Sequence, residues 1–296
     1  VVFEGNANAF RLLTHQFKGR RPGGFVMTYS TLASIVKYPY SSSAASKKGK
    51  FGFFDSEKAY YRRIADELGI PCKSEVGEPL RYARHPLVYL VEAADDICYE
   101  IMDIEDAHKL KIISHEETMQ LLLAFFDEDT QEHILKRLED ERVDDNNEKI
   151  VYLRACVIGK LENECVRVFV DHEDDILNGE FQGSLIDHIS DLPQKAYKNC
   201  CSLSVARIYK SRPVLDVELS GYQIIQTLME QFINAAVYPE RFYSKHLISR
   251  VSSQYDIDAP DLETRIMAII DYISGMTDVY ALDVYQKING ISLPII

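Results

Sequence analysis

Asp95, Tyr99 and Asp103 recur at a spacing of four residues, twice over. On an α-helix this puts two carboxylates and a phenol on one stripe that drifts about 40° per step. The surrounding segment is otherwise apolar, with Leu87, Leu90, Val91, Ala94, Ile97, Cys98 and Ile101. A carboxylate on such a helix needs a cation, a metal or hydrogen-bond donors to offset its desolvation. Aligned in this way, the three side chains could hold a divalent metal at one end and a sugar hydroxyl at the other. A solvated acidic helix face fits the same spacing, because Glu92, Asp96, Glu100 and Asp106 add acid nearby.

A second group is basic and aromatic: Lys37-Tyr38-Pro39-Tyr40, then Lys47-Lys48-Gly49-Lys50-Phe51-Gly52-Phe53-Phe54. Lysines on a glycine-containing loop could bind a polyphosphate, although the GxxxxGK[ST] arrangement of a P-loop is absent. A solvated surface loop is the other reading. A third group is Phe3-Glu4-Gly5-Asn6-Ala7, where a helix start could offer backbone N–H groups and the Asn6 amide to an anion, or where Asn6 simply caps the helix. The eight histidines include no His-Asp dipeptide and no HExxH. His172-Glu173-Asp174-Asp175 could take a divalent ion, but reads more simply as a solvated acidic turn. No GxSxG nucleophile elbow is present.

The elements that must position these residues are helices. Apolar positions recur mostly at three and four, predicting helices over residues 7–17, 28–36, 55–68, 86–110, 115–126, 130–141, 150–170, 185–189, 194–208, 220–237 and 262–285. Pro86 sits at a helix N1 position, Gly69 ends a helix, and Gly275 lies near a helix junction. Ser211-Arg212-Pro213 leading to Leu219 reads as a short strand or an extended link. The fold class is all-α, with room for one small hairpin. Residues 1–140 and 141–296 are the expected division, with a single unit as the alternative. The breaks at 140–147 and 211–213 are the two candidate boundaries.

Composition narrows the partners. The 33 basic and 46 acidic side chains leave a net charge of −13, which argues against a surface that tracks nucleic acid throughout but permits a local basic pocket. A hydrophobic fraction of 46% is ample for a core. Six scattered cysteines with no CxxC read as reduced, buried thiols in a cytoplasmic protein. No apolar run approaches the roughly 20 residues needed to span a bilayer.

Taken together, five segments resemble the deoxyguanosine triphosphate triphosphohydrolase family of the HD-domain superfamily: residues 3–10 (FEGNANAF), 27–39 (MTYSTLASIVKYP), 50–58 (KFGFFDSEK), 84–106 (RHPLVYLVEAADDICYEIMDIED) and 271–285 (DYISGMTDVYALDVY). The resemblance implies an HD-domain-like helical bundle with a C-terminal helical subregion. It implies hydrolysis of a deoxynucleoside triphosphate, dGTP first among them, to deoxynucleoside and triphosphate. The cofactor it implies is a divalent metal, Mg or Mn, held by histidines and aspartates. By the same resemblance Asp95 is a metal ligand, and Tyr99 and Asp103 lie at the deoxyribose, where Tyr99 disfavours a 2′-hydroxyl. Lys37, Tyr38 and Lys50 lie near the triphosphate, and Asn6 lines the same pocket. It further implies a homo-oligomer, with single-stranded DNA a weaker expectation in so acidic a chain.

The family's first histidine ligand, its His-Asp pair and its catalytic His/Glu segment precede FEGNA. The sequence is therefore expected to be an N-terminally truncated piece, with its catalytic residues upstream of Val1 and no activity on its own. Val279 stands where relatives often carry Arg. The rival readings are a helical interaction protein and a regulatory subunit that binds nucleotide without hydrolysing it.

Overall fold

In the computed structural model, residues 3–22 and 24–291 are described. Val1, where the sequence begins, and Gly23, in the glycine loop after the first predicted helix, lie outside the described residues. The described chain is helical, in this order: α1 (Gly5–Thr14), α2 (Tyr29–Ser34), α3 (Lys58–Leu68), α4 (Pro86–Lys109), α5 (His115–Leu123), α6 (Glu128–Asp140), α7 (Asn146–Asp171), α8 (Glu173–Leu177), α9 (Asp191–Leu203), α10 (Arg212–Val237), α11 (Phe242–Ile248), α12 (Leu262–Ser274) and α13 (Asp278–Ile288). In place of a hairpin there are three isolated bridges, Tyr40–Arg81, Ser41–Phe53 and Cys72–Tyr82. Among the described residues no helix is long and apolar enough to cross a membrane.

Most helix starts follow local chemistry. Thr28, Ser114, Asp127, Asp145, Asp261 and Thr277 each accept a bond from a backbone N–H of the helix they open. His85 does the same for α4 through Nδ1, with Pro86 in the first turn. Gly69 ends α3 in the left-handed conformation, φ 66°. Two expectations change. The residues from Ser211 to Leu219 are neither strand nor extended link, because α10 begins at Arg212. Pro213 falls in its first turn, where a missing N–H costs nothing. Two short helices, α8 and α11, carry too few turns for a periodic signal.

The chain divides into two compact units. The first is Val1–Phe10 with Thr28–Val214, and the second is Arg11–Met27 with Leu215–Ile296. The boundary therefore falls at 214 and not near 140. The reason is that α4 and α7, on either side of residue 140, pack against each other. Ile101, Ile104, Leu122, Phe125, Ile150, Leu153, Val157 and Leu161 share one buried core. In the second unit Leu228, Phe232, Ile269 and Val284 form a separate core from α10, α12 and α13. An aromatic cluster in the first unit stacks Phe53 on Tyr61 at 4.4 Å, with Phe10 against the edge of Tyr61 at 5.7 Å.

That cluster anchors the Lys50–Phe54 segment. Gly52 lies so close to the chain before it that a Cβ would meet the Tyr38 carbonyl oxygen at 2.2 Å. Only glycine permits this approach, and the Gly52 N–H completes it by donating to the Tyr40 carbonyl at 3.0 Å. The basic loop is thus fastened to the Lys37–Tyr40 turn.

Candidate functional site

At the start of α1 the capping group is Glu4. Its Oε2 accepts the N–H of Asn6 at 2.6 Å and of Ala7 at 3.1 Å, and its Oε1 accepts Asn6 Nδ2 at 3.0 Å. Asn6 is therefore not the cap, and the helix end does not offer its N–H groups to an outside anion, since a buried carboxylate of the same chain already occupies it. Lys50 Nζ donates to Glu4 Oε1 at 3.1 Å and lies 5.9 Å from the Tyr38 ring centre. Burial pushes the Glu4 carboxyl up, but the bonds from Asn6, Ala7 and Lys50 together hold it below the ordinary glutamate value.

Lys37 is organised in the same way from α4. Its Nζ lies 3.1 Å from Glu92 Oε1 and 3.9 Å from Asp96 Oδ1. The other Glu92 oxygen takes Arg84 Nη1 at 2.8 Å, and Arg84 Nε returns to the Lys37 carbonyl at 3.1 Å. Burial opposes the Lys37 charge, yet Glu92, Asp96 and Tyr38 outweigh it and hold the ammonium above the ordinary lysine value. Asn6 and Lys50 thus meet at Glu4, Lys50 lies by the Tyr38 ring, and Lys37, next to Tyr38 in the chain, pairs with Glu92, so the four lie around two buried glutamates. The sequence reading missed both glutamates. Glu4 carried a local signal, two residues before Asn6, but Glu92 looked like one of several acids on an acidic face.

The α4 stripe divides. Asp95 and Tyr99 are exposed, and among the described residues their side chains make no hydrogen bond or ion pair. Leu87, Leu90, Val91 and Met102 are exposed beside them, so this face of α4 is apolar and open rather than buried. Cys98 lies on that face as an exposed free thiol, against the expectation that it is buried, while Cys165 and Cys200 are buried. Asp103 is different: its Oδ2 accepts Tyr209 Oη at 2.7 Å. Tyr209 follows a π-helical turn, Ser204–Ile208, whose Ser204 Oγ donates to the buried Glu100 at 2.7 Å.

The site can do three things chemically. Two ammonium groups can neutralise phosphate oxygens, an exposed phenol ring can lie against a sugar, and a fixed carboxylate can accept a hydroxyl. It does not complete a metal site. Among the described residues no group of three or more His, Cys, Asp or Glu side chains is arranged to hold a metal ion, and one exposed carboxylate does not make up a ligand set. His172, at the junction of α7 and α8, and Asp175, in α8, approach to 3.4 Å on the exposed surface, so the segment read as an acidic turn is the start of α8.

Residues 189–287 match the phosphohydrolase-associated domain family. Over 308 residues the chain is 33% identical to a deoxyguanosinetriphosphate triphosphohydrolase-like protein of Pseudomonas aeruginosa, covering 99% of this chain and 66% of that protein. A protein of the same description from Synechocystis sp. is 33% identical over 303 residues, covering 98% of this chain and 66% of that protein. A deoxyguanosinetriphosphate triphosphohydrolase of Cronobacter sakazakii is 26% identical over 339 residues, covering 98% and 64%. The chain thus spans about two thirds of the length of the curated relatives it matches, and they match it almost from end to end. It belongs to the deoxyguanosinetriphosphate triphosphohydrolase family of the HD superfamily.

Proposed function

We propose that this chain is the nucleotide-contacting part of a metal-dependent hydrolase that converts dGTP and water to deoxyguanosine and triphosphate. Lys37 and Lys50 neutralise the triphosphate, with Tyr38 and Asn6 lining the same pocket. Tyr99 lies against the deoxyribose and disfavours a 2′-hydroxyl, and Asp103 accepts the sugar hydroxyl. The observation that carries this reading is the pairing of both lysines with buried glutamates, Glu92 and Glu4, which holds two partly open ammonium groups beside Tyr38 and Asn6.

Asp95 is the metal ligand in this reading. A Mg or Mn ion needs further donors, which the described residues do not supply around Asp95. The 296-residue chain also lacks a His-Asp dipeptide. Hence the chain by itself binds dGTP and does not hydrolyse it. The open apolar face of α4 supports a homo-oligomer, because exposed apolar surface of this kind favours association. It also supports the second reading, a regulatory or interaction module.

Thermal unfolding with increasing dGTP, with and without Mn²⁺, tests the binding claim, because a ligand of the native state raises the transition temperature. The expected result is stabilisation by dGTP greater than by GTP, with no triphosphate released. No shift at millimolar dGTP removes the nucleotide-binding reading and leaves the interaction module. Release of triphosphate by the purified chain removes the claim that it is inactive alone.

A further inference from the structure

The contacts that α4 receives from α9 and the first residue after it follow a regular spacing that the next turn breaks. Tyr197 Oη donates to the Asp96 carbonyl at 3.0 Å, and Ser204 Oγ reaches Glu100 at 2.7 Å. Cys201 lies against Glu100 as well. Positions 197, 201 and 204 are spaced four and then three apart, so they share one face of an α-helix, and Ile208 would continue that face. Tyr209 would point about 120° away from Tyr197 if the helix were regular.

The turn is not regular. Ser204–Ile208 is π-helical, and the Tyr209 N–H bonds the Ser204 carbonyl five residues back at 2.9 Å. The wider turn absorbs one residue and brings Tyr209 onto α4 as well, while Ile208 stays buried in the core that α4 shares. A helix accepts a π turn at a cost, so the gain must lie in what the turn brings to bear. Here that is a phenol on Asp103 Oδ2.

We infer that Tyr209 is a positioning residue for Asp103, delivered by the π turn to fix the carboxylate that receives the nucleotide's sugar hydroxyl. The inference rests on the reading of Asp103 given under the proposed function. Tyr209 engages one oxygen, and among the described residues the other, Oδ1, carries no hydrogen bond. A carboxylate pinned at one oxygen presents the second in a single direction, which lowers the ordering cost of binding. Tyr209 remains a donor throughout, because burial and then Asp103 push its phenol well above the ordinary tyrosine value. The only free hydroxyl on the sugar of a deoxynucleoside triphosphate is the 3′ one, so the discrimination this pair supports is between dGTP and 2′,3′-dideoxyGTP.

The test is the ratio of the two affinities, measured by calorimetric titration on the full 296-residue chain. The native chain should prefer dGTP. Asp103→Asn should abolish most of that preference. Tyr209→Phe, which removes one oxygen atom, should weaken dGTP about 5-fold while leaving dideoxyGTP within about 2-fold of native. A purely architectural role for Tyr209 would weaken both ligands alike and leave the ratio unchanged. If Asp103→Asn collapses the ratio and Tyr209→Phe does not change it, the positioning role is overturned and the sugar reading of Asp103 stands. If the native chain has no preference, or Asp103→Asn leaves it intact, the sugar reading fails and takes the positioning role with it.

Discussion

Two kinds of buried ion pair separate the two units. In the second unit Arg11 and Asp271 meet in a bidentate fork, Nε to Oδ1 and Nη2 to Oδ2, both at 2.8 Å. Both side chains are closed to solvent, with 7% and 3% exposed. In the first unit Lys37 and Lys50 face buried glutamates, but the lysine side chains remain 28% and 47% exposed. The carboxylates also differ in what else they hold. Glu92 keeps Arg84, and Glu4 keeps the N–H groups of Asn6 and Ala7. Each lysine could therefore turn to an incoming anion without leaving a buried charge orphaned, whereas both partners of the Arg11–Asp271 fork are closed to solvent.

Half-open pairing alone does not mark a site. Glu105 with Arg154 and Lys109, and Glu164 with Arg167 and Lys160, are built on the same plan in the α4–α7 region. Neither has neighbours like Tyr38 and Asn6. On the proposed function, what sets the Lys37 and Lys50 pairs apart is the neighbours of the exposed partner, not the burial of the acid.

The comparison breaks most visibly at Asp271. Asp271→Asn should destabilise the protein by about 3–5 kcal/mol in denaturant unfolding, because it leaves a buried guanidinium without its charge partner. A loss below about 1 kcal/mol would put the fork in the same class as the lysine pairs. Lys37→Ala should behave in the opposite sense: dGTP binding about 10-fold weaker, with unfolding stability within about 1 kcal/mol of native. Lys50→Ala should do the same to a lesser degree, since that ammonium is more open. Equal losses of stability from Lys37→Ala and Asp271→Asn would erase the distinction.

The smallest effect concerns Glu4. Its folded carboxyl lies below the ordinary glutamate value, so the stability it contributes is complete above about pH 4.3 and is lost as pH falls through the lower folded value. Glu4→Gln should cost about 1 kcal/mol at pH 7, and the difference between native and variant unfolding curves should shrink toward pH 3 as the native carboxylate takes up its proton. A variant equally destabilised at both pH values would mean that packing, not the carboxylate charge, fixes the start of α1.

Much of the architecture was legible locally. A helical period, Pro86 after His85, Asp145 before Asn146 and Gly69 after Leu68 are signals read within a few residues of where they act. The residue types around the candidate site, lysines, a tyrosine and carboxylates, could be read from the sequence, but not their partners Glu4 and Glu92. Exposure was less legible. Periodicity places Leu87, Val91 and Cys98 on an apolar face of α4, but cannot say whether anything covers that face, and here it is open. Of the two candidate breaks, 211–213 lies beside the division at Val214, whereas the polar stretch at 140–147 resembles a linker until α4 and α7 are seen to share a core.

The sequence by itself determined most of the helices, the Pro86 and Gly69 ends, the family and the residue types that the proposed function draws on. Only the tertiary structure decided which of those residues act together. Lys50 finds Glu4 across 46 positions and Tyr209 finds Asp103 across 106. Caps and helical periods act through neighbouring backbone and so are written along the chain. Ion-pair partners and π-turn registers depend on chain segments brought side by side, and that proximity exists only once the core has formed.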